Sequence, residues 1–148
     1  MDVAIDDLQA LDVEGLIQKA LASPVWAVVG ASRDPARWGH RVLAELIRGG
    51  YTVYPVNPQA DEVLGLRAYA SVADLPETPD VVEFVTPPAV TEQVLRECAA
   101  RGVTLVWMQP GASSEAAERY CQEQGIRAID GACLLHERRF RQPTRPDR

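Results

Sequence analysis

Short apolar runs alternate with helical stretches along this chain, and that alternation limits its fold more than any other feature. The runs that are apolar over most of their length are Val25–Gly30, Tyr51–Val56, Asp80–Val85, Val103–Met108 and Ile126–Asp130. Strands that are buried on both faces are typical of a parallel sheet covered by helices. The pattern therefore predicts an α/β, Rossmann-like, doubly wound fold with about five parallel strands and helices on both faces.

The segments between the strands have apolar residues at helical spacing. They predict helices over Ile5–Ala22, Arg37–Arg48 and Val90–Ala100, and a further helix that begins at Ser113 or Ser114. A chain of 148 residues has the size of one domain. We therefore expect one unit over residues 1–148, with an N-terminal helix within residues 1–24 packed on it and a basic, partly flexible tail over residues 138–148.

The composition excludes several functional classes. A formal net charge of −6 argues against nucleic-acid binding, which needs a basic surface. No apolar run approaches the ~20 residues that span a bilayer, and the N-terminus is acidic, unlike a signal peptide. We therefore expect a cytoplasmic protein. The 3 cysteines form no C-x-x-C pair and there are only 2 histidines, so no metal site is predicted.

The loops that follow the first four strands are the best candidates for a binding site. They begin at Gly30, at Asn57-Pro58, at Thr86-Pro87 and at Met108-Gln109-Pro110. In doubly wound sheets, ligands bind beyond the carboxyl ends of the strands, where the strand order reverses. Ordinary turn chemistry explains any one of these loops, but four at the same edge predict a ligand there.

The first loop has the residues of a phosphate site. Gly30 permits close approach of the backbone, and Ser32 adds a hydroxyl group before a helix N-terminus. Arg33, Arg37 and Arg41 place positive charge at that helix start, where it opposes the helix dipole unless an anion is bound. A solvated helix face is the alternative explanation for these arginines.

The usual dinucleotide fingerprint is absent. Gly30 and Ser32 stand where two glycines are expected, and Gly39 falls too late for the third. The second strand ends at Asn57-Pro58, where an acidic residue would bind the ribose of NAD. The loops therefore favour a nucleotide other than NAD.

The ordered segments VVGASRDPARWG, GYTVYPVNP, VLG, DVVEFVTPP and VWMQPGASSE, followed by Gly125-Ile126 and Cys133, resemble a known family. The chain is similar to the small stand-alone CoA-binding proteins, which are related to the N-terminal CoA-binding domain of the succinyl-CoA synthetase α subunit. The resemblance extends from about Val25 to Glu137.

The resemblance implies that the loop Gly30–Arg33 holds the phosphates of coenzyme A and that Asn57 and Pro58 border its adenosine. It also implies that Thr86 and Pro87 line the adenine or pantetheine path. The full predicted binding set is Gly30, Ala31, Ser32, Arg33, Arg37, Asn57, Pro58, Thr86, Pro87, Met108, Gln109 and Pro110, with no catalytic residue. Gln59 stands where such proteins often have a lysine, and Asp130-Gly131-Ala132 lacks their usual arginine.

No catalytic motif is present, and we interpret His40 and His136 as structural. The leading hypothesis is non-catalytic binding of CoA or an acyl-CoA by a sensor, carrier or regulatory module. The alternatives are an NAD(P)-binding enzyme and a CoA-dependent transferase that needs a partner subunit. A mixed disulfide between Cys133 and CoA is a third hypothesis, and the sequence leaves a homo-oligomer open.

Overall fold

The computed structural model describes residues 8–141, and its main feature is a parallel sheet of five strands. The sheet strands are β1 Val25–Val29, β2 Thr52–Val56, β5 Val81–Phe84, β6 Leu105–Met108 and β7 Arg127–Asp130. Their spatial order is β2-β1-β5-β6-β7, and each neighbouring pair is parallel. The doubly wound α/β fold predicted from the strand pattern is therefore confirmed.

Helices cover both faces of the sheet. They are α1 Val13–Ala22, α2 Trp38–Arg48, α3 Pro88–Arg101, α4 Glu115–Gln124 and α5 Leu134–Arg141. Buried side chains of α1, α2 and α5 pack on one face, and those of α3 and α4 pack on the other. The connection between β2 and β5 contains a small antiparallel hairpin, β3 Glu62–Val63 and β4 Leu66–Arg67, and a 3₁₀ turn over Val72–Asp74.

The N-terminal helix is shorter than the continuous helix predicted over Ile5–Ala22. Residues 8–10 are helical, but α1 begins only at Val13. Asp12 caps it, because its side-chain oxygen accepts a hydrogen bond from the Gly15 N–H at 2.8 Å. An N-cap residue has extended backbone geometry, so a helix cannot continue through it. The first part of the predicted helix, residues 1–7, lies outside the described residues.

The last helix includes four residues that we expected in the flexible tail. Arg138 holds it against α2, because its Nε donates to Glu45 Oε2 at 3.1 Å and its guanidinium lies 5.2 Å from the centre of the Tyr51 ring. Arg141 forms ion pairs with Glu14 and Glu137. Residues 138–141 are thus helical, and the rest of the predicted tail, residues 142–148, lies outside the described part.

Glu83 is the exception in an otherwise apolar core. It lies in the middle of β5 between Val28 of β1 and Trp107 of β6, and its side chain is fully buried. Neither carboxyl oxygen has a hydrogen-bond partner. Burial raises the pKa of Glu83 well above its ordinary value of 4.5, and a negative charge on Cys133 would raise it further. Burial therefore favours the protonated, uncharged form of this side chain in the folded protein.

We expect the stability of the protein to fall with rising pH because of Glu83. Above the ordinary pKa of 4.5 the unfolded chain loses this proton while the folded chain, with its raised pKa, keeps it. The unfolding free energy then falls by up to about 1.4 kcal/mol per pH unit until the folded pKa is passed. Glu83→Gln should therefore gain stability relative to wild type as the pH rises from about 4.5.

Urea denaturation of both proteins from about pH 4 to about pH 8 checks this expectation, since the contributions of all other groups cancel in the difference. Equal pH dependence of the two unfolding free energies would show that Glu83 ionises normally in the folded state.

Candidate functional site

The carboxyl ends of the parallel strands form one rim, and two adjoining cavities open along it. β1 and β5 are neighbours here although their following helices cover opposite faces, so the strand order reverses between them. The smaller, which we call the loop cavity, has about 250 Å³ and is lined by Gly30, Ala36, Arg37, Trp38, Gly39 and Val85. The larger, which we call the apolar cavity, has about 430 Å³ and is lined by Trp38, Val85, Thr86, Pro87, Gln109, Pro110, Gly111, Ala112 and Cys133.

A further cavity of about 440 Å³ lies near Lys19, Thr104 and Gly125. It is at the opposite edge of the sheet, where the strands begin. In the part of the chain that the structure describes, the helices that follow β1, β5 and β6 start at the other edge, so their free backbone N–H groups are not directed at this cavity. The rim is therefore the better candidate for a nucleotide site.

Two glycines set the shape of the loop cavity. Gly30 has a φ of +93°, and a Cβ atom on it would lie 2.8 Å from the Val85 carbonyl oxygen. A Cβ atom on Gly39 would lie only 1.9 Å from the Gly30 carbonyl oxygen. The start of α2 thus packs backbone to backbone against the end of β1, which only glycine permits at these positions.

Gly39 therefore corrects one part of the sequence analysis. Its position appeared too late for the third glycine of a dinucleotide fingerprint, whose role is close packing of the helix against the strand. In the structure Gly39 has that packing role. The spacing differs because the loop from Ala31 to Arg37 adds residues before the helix begins.

Side-chain hydrogen bonds hold this loop in one conformation. Ser32 Oγ accepts from the Asp34 N–H at 3.1 Å, and Asn57 Nδ2 donates to the Ala31 carbonyl at 2.9 Å. His40 Nδ1 lies 3.0 Å from the Ser32 carbonyl oxygen, which can only accept, so Nδ1 carries the proton. These bonds give Asn57 and His40 structural roles in shaping the loop.

The N-terminus of α2 is suited to an anion. Its N-cap residue, Arg37, makes no side-chain capping bond, and no acidic residue lies in the first turn. Arg33 and Arg37 are exposed, and Arg37 has only a loose contact with Asp34, at 3.8 Å. Exposed ion pairs of this kind contribute little, so both guanidinium groups can turn toward a ligand.

Gln109 organises the far end of the apolar cavity. Its Oε1 accepts from the Leu134 N–H at 2.7 Å, and its Nε2 donates to Cys133 Sγ at 3.7 Å. These bonds hold the start of α5 against the rim. Met108 points away, since its side chain is fully buried in the core on the opposite face.

The structure brings about half of the predicted binding set to the cavity walls. Those that line a cavity are Gly30, Arg37, Thr86, Pro87, Gln109 and Pro110. Those that line neither are Ala31, Ser32, Arg33, Asn57, Pro58 and Met108. Thr86 is held in place, because its hydroxyl lies 2.7 Å from that of the buried Thr91.

Trp38 is a cavity residue that the sequence analysis did not single out. It lines both cavities and is 49% exposed, with the Arg41 guanidinium 4.5 Å from its ring centre. An exposed tryptophan is unusual in a helix that otherwise buries its apolar face. The sequence contained one signal for this role, since Trp38 directly follows the loop that was predicted to bind phosphate.

Comparison with known proteins identifies the family. Residues 24–139 match the CoA binding domain family. The chain belongs to the CoA-binding domain family. This confirms the resemblance seen in the ordered sequence segments.

Similar proteins include both ligase subunits and small proteins. The α subunit of acetate–CoA ligase [ADP-forming] II from Pyrococcus furiosus is 38% identical over 120 residues, which cover 73% of this chain and 26% of that subunit. A conserved hypothetical protein from Pyrococcus furiosus has a TM-score of 0.74 and 42% identity, with 76% of this chain and 97% of that chain covered. A protein from Pyrococcus horikoshii OT3 has a TM-score of 0.84 and 30% identity, with 92% and 96% covered.

The CoA-binding domain spans about a quarter or less of the first curated relatives, with 14%, 26% and 11% of their lengths covered. None of its described helices is long and apolar enough to cross a bilayer. Over residues 8–141, no three His, Cys, Asp or Glu side chains lie together as a metal site would require.

We expect Gly39→Ala to destabilise this CoA-binding domain by about 1–3 kcal/mol, because the new methyl group meets backbone that cannot move aside. Urea denaturation measures the loss. Gly15→Ala is a matched control in α1, where the new methyl group meets chiefly the Leu11 side chain. The control should stay within about 1 kcal/mol of wild type; equal effects of the two substitutions would contradict the close packing at Gly39.

Proposed function

We propose that this protein binds coenzyme A, free or as an acyl thioester, along the rim of the sheet and catalyses no reaction by itself. Membership of the CoA-binding domain family supports the ligand. The observation that carries the site is the pair of adjoining cavities with different chemistry, which share Trp38 and Val85.

The two cavities suit the two halves of this ligand. The loop cavity combines an uncapped helix N-terminus with Arg37 and the two glycines Gly30 and Gly39, which is the usual chemistry of a phosphate site. The apolar cavity has no charged residue in its wall and is bounded by Trp38, Val85 and prolines. The phosphates would occupy the first cavity, and the uncharged pantetheine arm would extend into the second.

The titratable side chains near the rim support a binding role. His40 is bound to the Ser32 carbonyl, and His136 is exposed and lies 4.4 Å from the ring of Phe140. Neither lines either rim cavity. We therefore propose a sensor, carrier or regulatory module in the cytoplasm, where CoA thioesters are made and used.

A second candidate is a part of a larger CoA-dependent enzyme. The similarity to an ADP-forming acetate–CoA ligase subunit favours it, because this chain corresponds to only 26% of that subunit. A partner chain would then supply the reacting groups. A thermal-shift screen with CoA, acetyl-CoA, NAD and NADP, followed by a search for co-purifying chains, separates this candidate and the NAD(P)-enzyme hypothesis from simple CoA binding.

We expect Arg33→Ala and Arg37→Ala each to weaken CoA binding by about 1–3 kcal/mol, or about 5- to 150-fold in Kd, because each removes a cation beside the phosphates. Isothermal titration calorimetry measures the change. Arg48→Ala is a matched control, since it removes an exposed arginine from the opposite end of the same helix. Equal affinities for all the variants would place the phosphates elsewhere.

We expect bound CoA to shield Trp38 from solvent. Trp26 and Trp107 are fully buried, so quenching of tryptophan fluorescence by acrylamide reports on Trp38. Saturating CoA should lower the quenching constant several-fold in wild type and leave it unchanged in Trp38→Phe. Unchanged quenching in wild type, at a CoA concentration shown by calorimetry to saturate the protein, would contradict contact with Trp38.

A further inference from the structure

Gln109 is a buried amide at the end of the apolar cavity that lies away from the loop cavity. The two cavities share Trp38 and Val85, whereas Gln109 lines only the apolar one. The residue is 5% exposed. A buried amide needs partners for its polar atoms, so the bonds that Gln109 makes determine how it can act on a ligand.

The hydrogen bonds of Gln109 fix the direction in which its amide faces. The Leu134 N–H can only donate, so the atom 2.7 Å from it is the amide oxygen, Oε1. The amide nitrogen, Nε2, therefore faces Cys133, whose sulfur lies 3.7 Å away. The main chain is held as well, because the Gln109 N–H donates to the Phe84 carbonyl at 3.1 Å and the Gln109 carbonyl accepts from the Ala112 N–H at 2.9 Å. The amide is thus held rigidly by the protein itself.

The amide nitrogen of Gln109 has hydrogen-bonding capacity that the protein leaves unused. A side-chain amide has two N–H donors, and a thiol sulfur is a weak acceptor. Within residues 8–141, the sulfur of Cys133 is the one acceptor that Nε2 reaches. Cys133 also lines the apolar cavity. At least one strong N–H donor is therefore available at this end of the cavity.

The other side-chain donors of the cavity wall are engaged or lie elsewhere. Thr91 donates to the Pro87 carbonyl at 3.3 Å, so the Thr86 hydroxyl donates its own proton to Thr91, at 2.7 Å. The indole of Trp38 lies where the two cavities meet, and no wall residue is charged. The far end of the cavity thus combines one fixed, uncharged donor with apolar surface, which suits a carbonyl oxygen on an otherwise apolar group.

We propose that Gln109 Nε2 donates a hydrogen bond to the thioester carbonyl of an acyl-CoA, and that the rim selects thioesters of small, uncharged acyl groups over free CoA. This inference rests on the proposed function, in which the pantetheine arm extends from the loop cavity into the apolar one. The arm ends in sulfur. In a thioester, a carbonyl oxygen stands beside that sulfur and can accept from the amide, whereas free CoA has only a thiol there. Gln109 is thus a specificity-determining residue, because its donor gains a full partner with acyl-CoA and only a weak one with CoA.

The cavity wall also limits the acyl group. Since the wall has no charged residue, a carboxylate on the acyl group would lose its hydration without gaining an ionic partner. The volume of about 430 Å³ lies toward the lower end of the range for small-molecule sites, about 300–1,000 Å³, and it has to hold the pantetheine arm as well. We therefore expect short, uncharged acyl groups such as acetyl and butyryl, and not succinyl.

Isothermal titration calorimetry of the full chain with acetyl-CoA and S-ethyl-CoA tests the bond to Gln109. The two ligands differ in one place, because S-ethyl-CoA has two hydrogens where acetyl-CoA has the carbonyl oxygen. We expect wild type to bind acetyl-CoA about threefold to tenfold more tightly, which is the scale of one neutral hydrogen bond. Equal affinities of wild type for the two ligands would overturn the proposal.

Two substitutions of Gln109 separate recognition of the carbonyl from a structural role. Gln109→Glu keeps an oxygen for the Leu134 N–H, and its ionised form, favoured near pH 8, has no proton to donate. Gln109→Met keeps the length of the side chain without a donor. Damage to the fold weakens both ligands alike and cancels in the ratio of their affinities. We expect that ratio to fall to about one or below in both variants.

Gln124→Glu is the matched control, since it makes the same chemical change at the exposed end of α4. It should keep the wild-type ratio of affinities for acetyl-CoA and S-ethyl-CoA. A wild-type ratio in both Gln109 variants would show that another group recognises the carbonyl.

Butyryl-CoA and succinyl-CoA test the class of acyl group. Both acyl groups have the same number of carbon atoms, but succinyl ends in a carboxylate. We expect wild type to bind succinyl-CoA about tenfold or more weakly than butyryl-CoA, because the carboxylate would be buried without a partner. Equal or tighter binding of succinyl-CoA would overturn the selection of uncharged acyl groups.

The role of Gln109 and the proposed function fail in different ways. If wild type binds CoA in calorimetry but does not distinguish acetyl-CoA from S-ethyl-CoA, the role of Gln109 is wrong and the proposed function stands. If wild type binds neither CoA nor any of its thioesters, the proposed function itself is wrong.

Discussion

The contact between Gly39 and the Gly30 carbonyl is the constraint on which the binding rim depends. Any side chain at Gly39 would push the helix away from the strand, since even a Cβ atom would lie 1.9 Å from that oxygen. The close approach directs the uncapped N-terminus of α2 at the space above β1. The same contact sets the position of the first turn of α2, and with it the positions of Arg37 and Trp38 in the cavity walls. Both cavities therefore depend on one backbone contact.

The strand order then determines how the rim is divided. Because β1 and β5 are neighbours but lead to helices on opposite faces, a cleft opens between their loops. Gln109 closes the far side by binding the start of α5 through Leu134 and Cys133. The charged end of the rim therefore lies at the first loop and the uncharged end at the last helix, which matches a ligand with phosphates at one end and a thiol at the other.

The sequence predicted the five sheet strands to within two residues at each end, because burial on both faces leaves a strong apolar signal. It did not predict the break at Asp12 or the extent of α5. Those features depend on contacts between distant parts of the chain, such as the bond from Arg138 to Glu45. The loops of the site were predictable because the carboxyl ends of parallel strands share one edge of the sheet. The burial of Met108 in the core was not, because the face on which its side chain lies depends on the pairing of β5 with β6.

Glu83 shows what an exception to a pattern can indicate. One acid in the run Asp80–Val85 interrupts a strand that is otherwise apolar between its ends, and the structure places that acid where it makes no bond. A neutral side chain of the same size would stabilise the core above the ordinary pKa of a glutamate. The carboxyl is therefore unfavourable for folding. The sheet accommodates this side chain best as the neutral acid, so the pH dependence of stability reports on this one position.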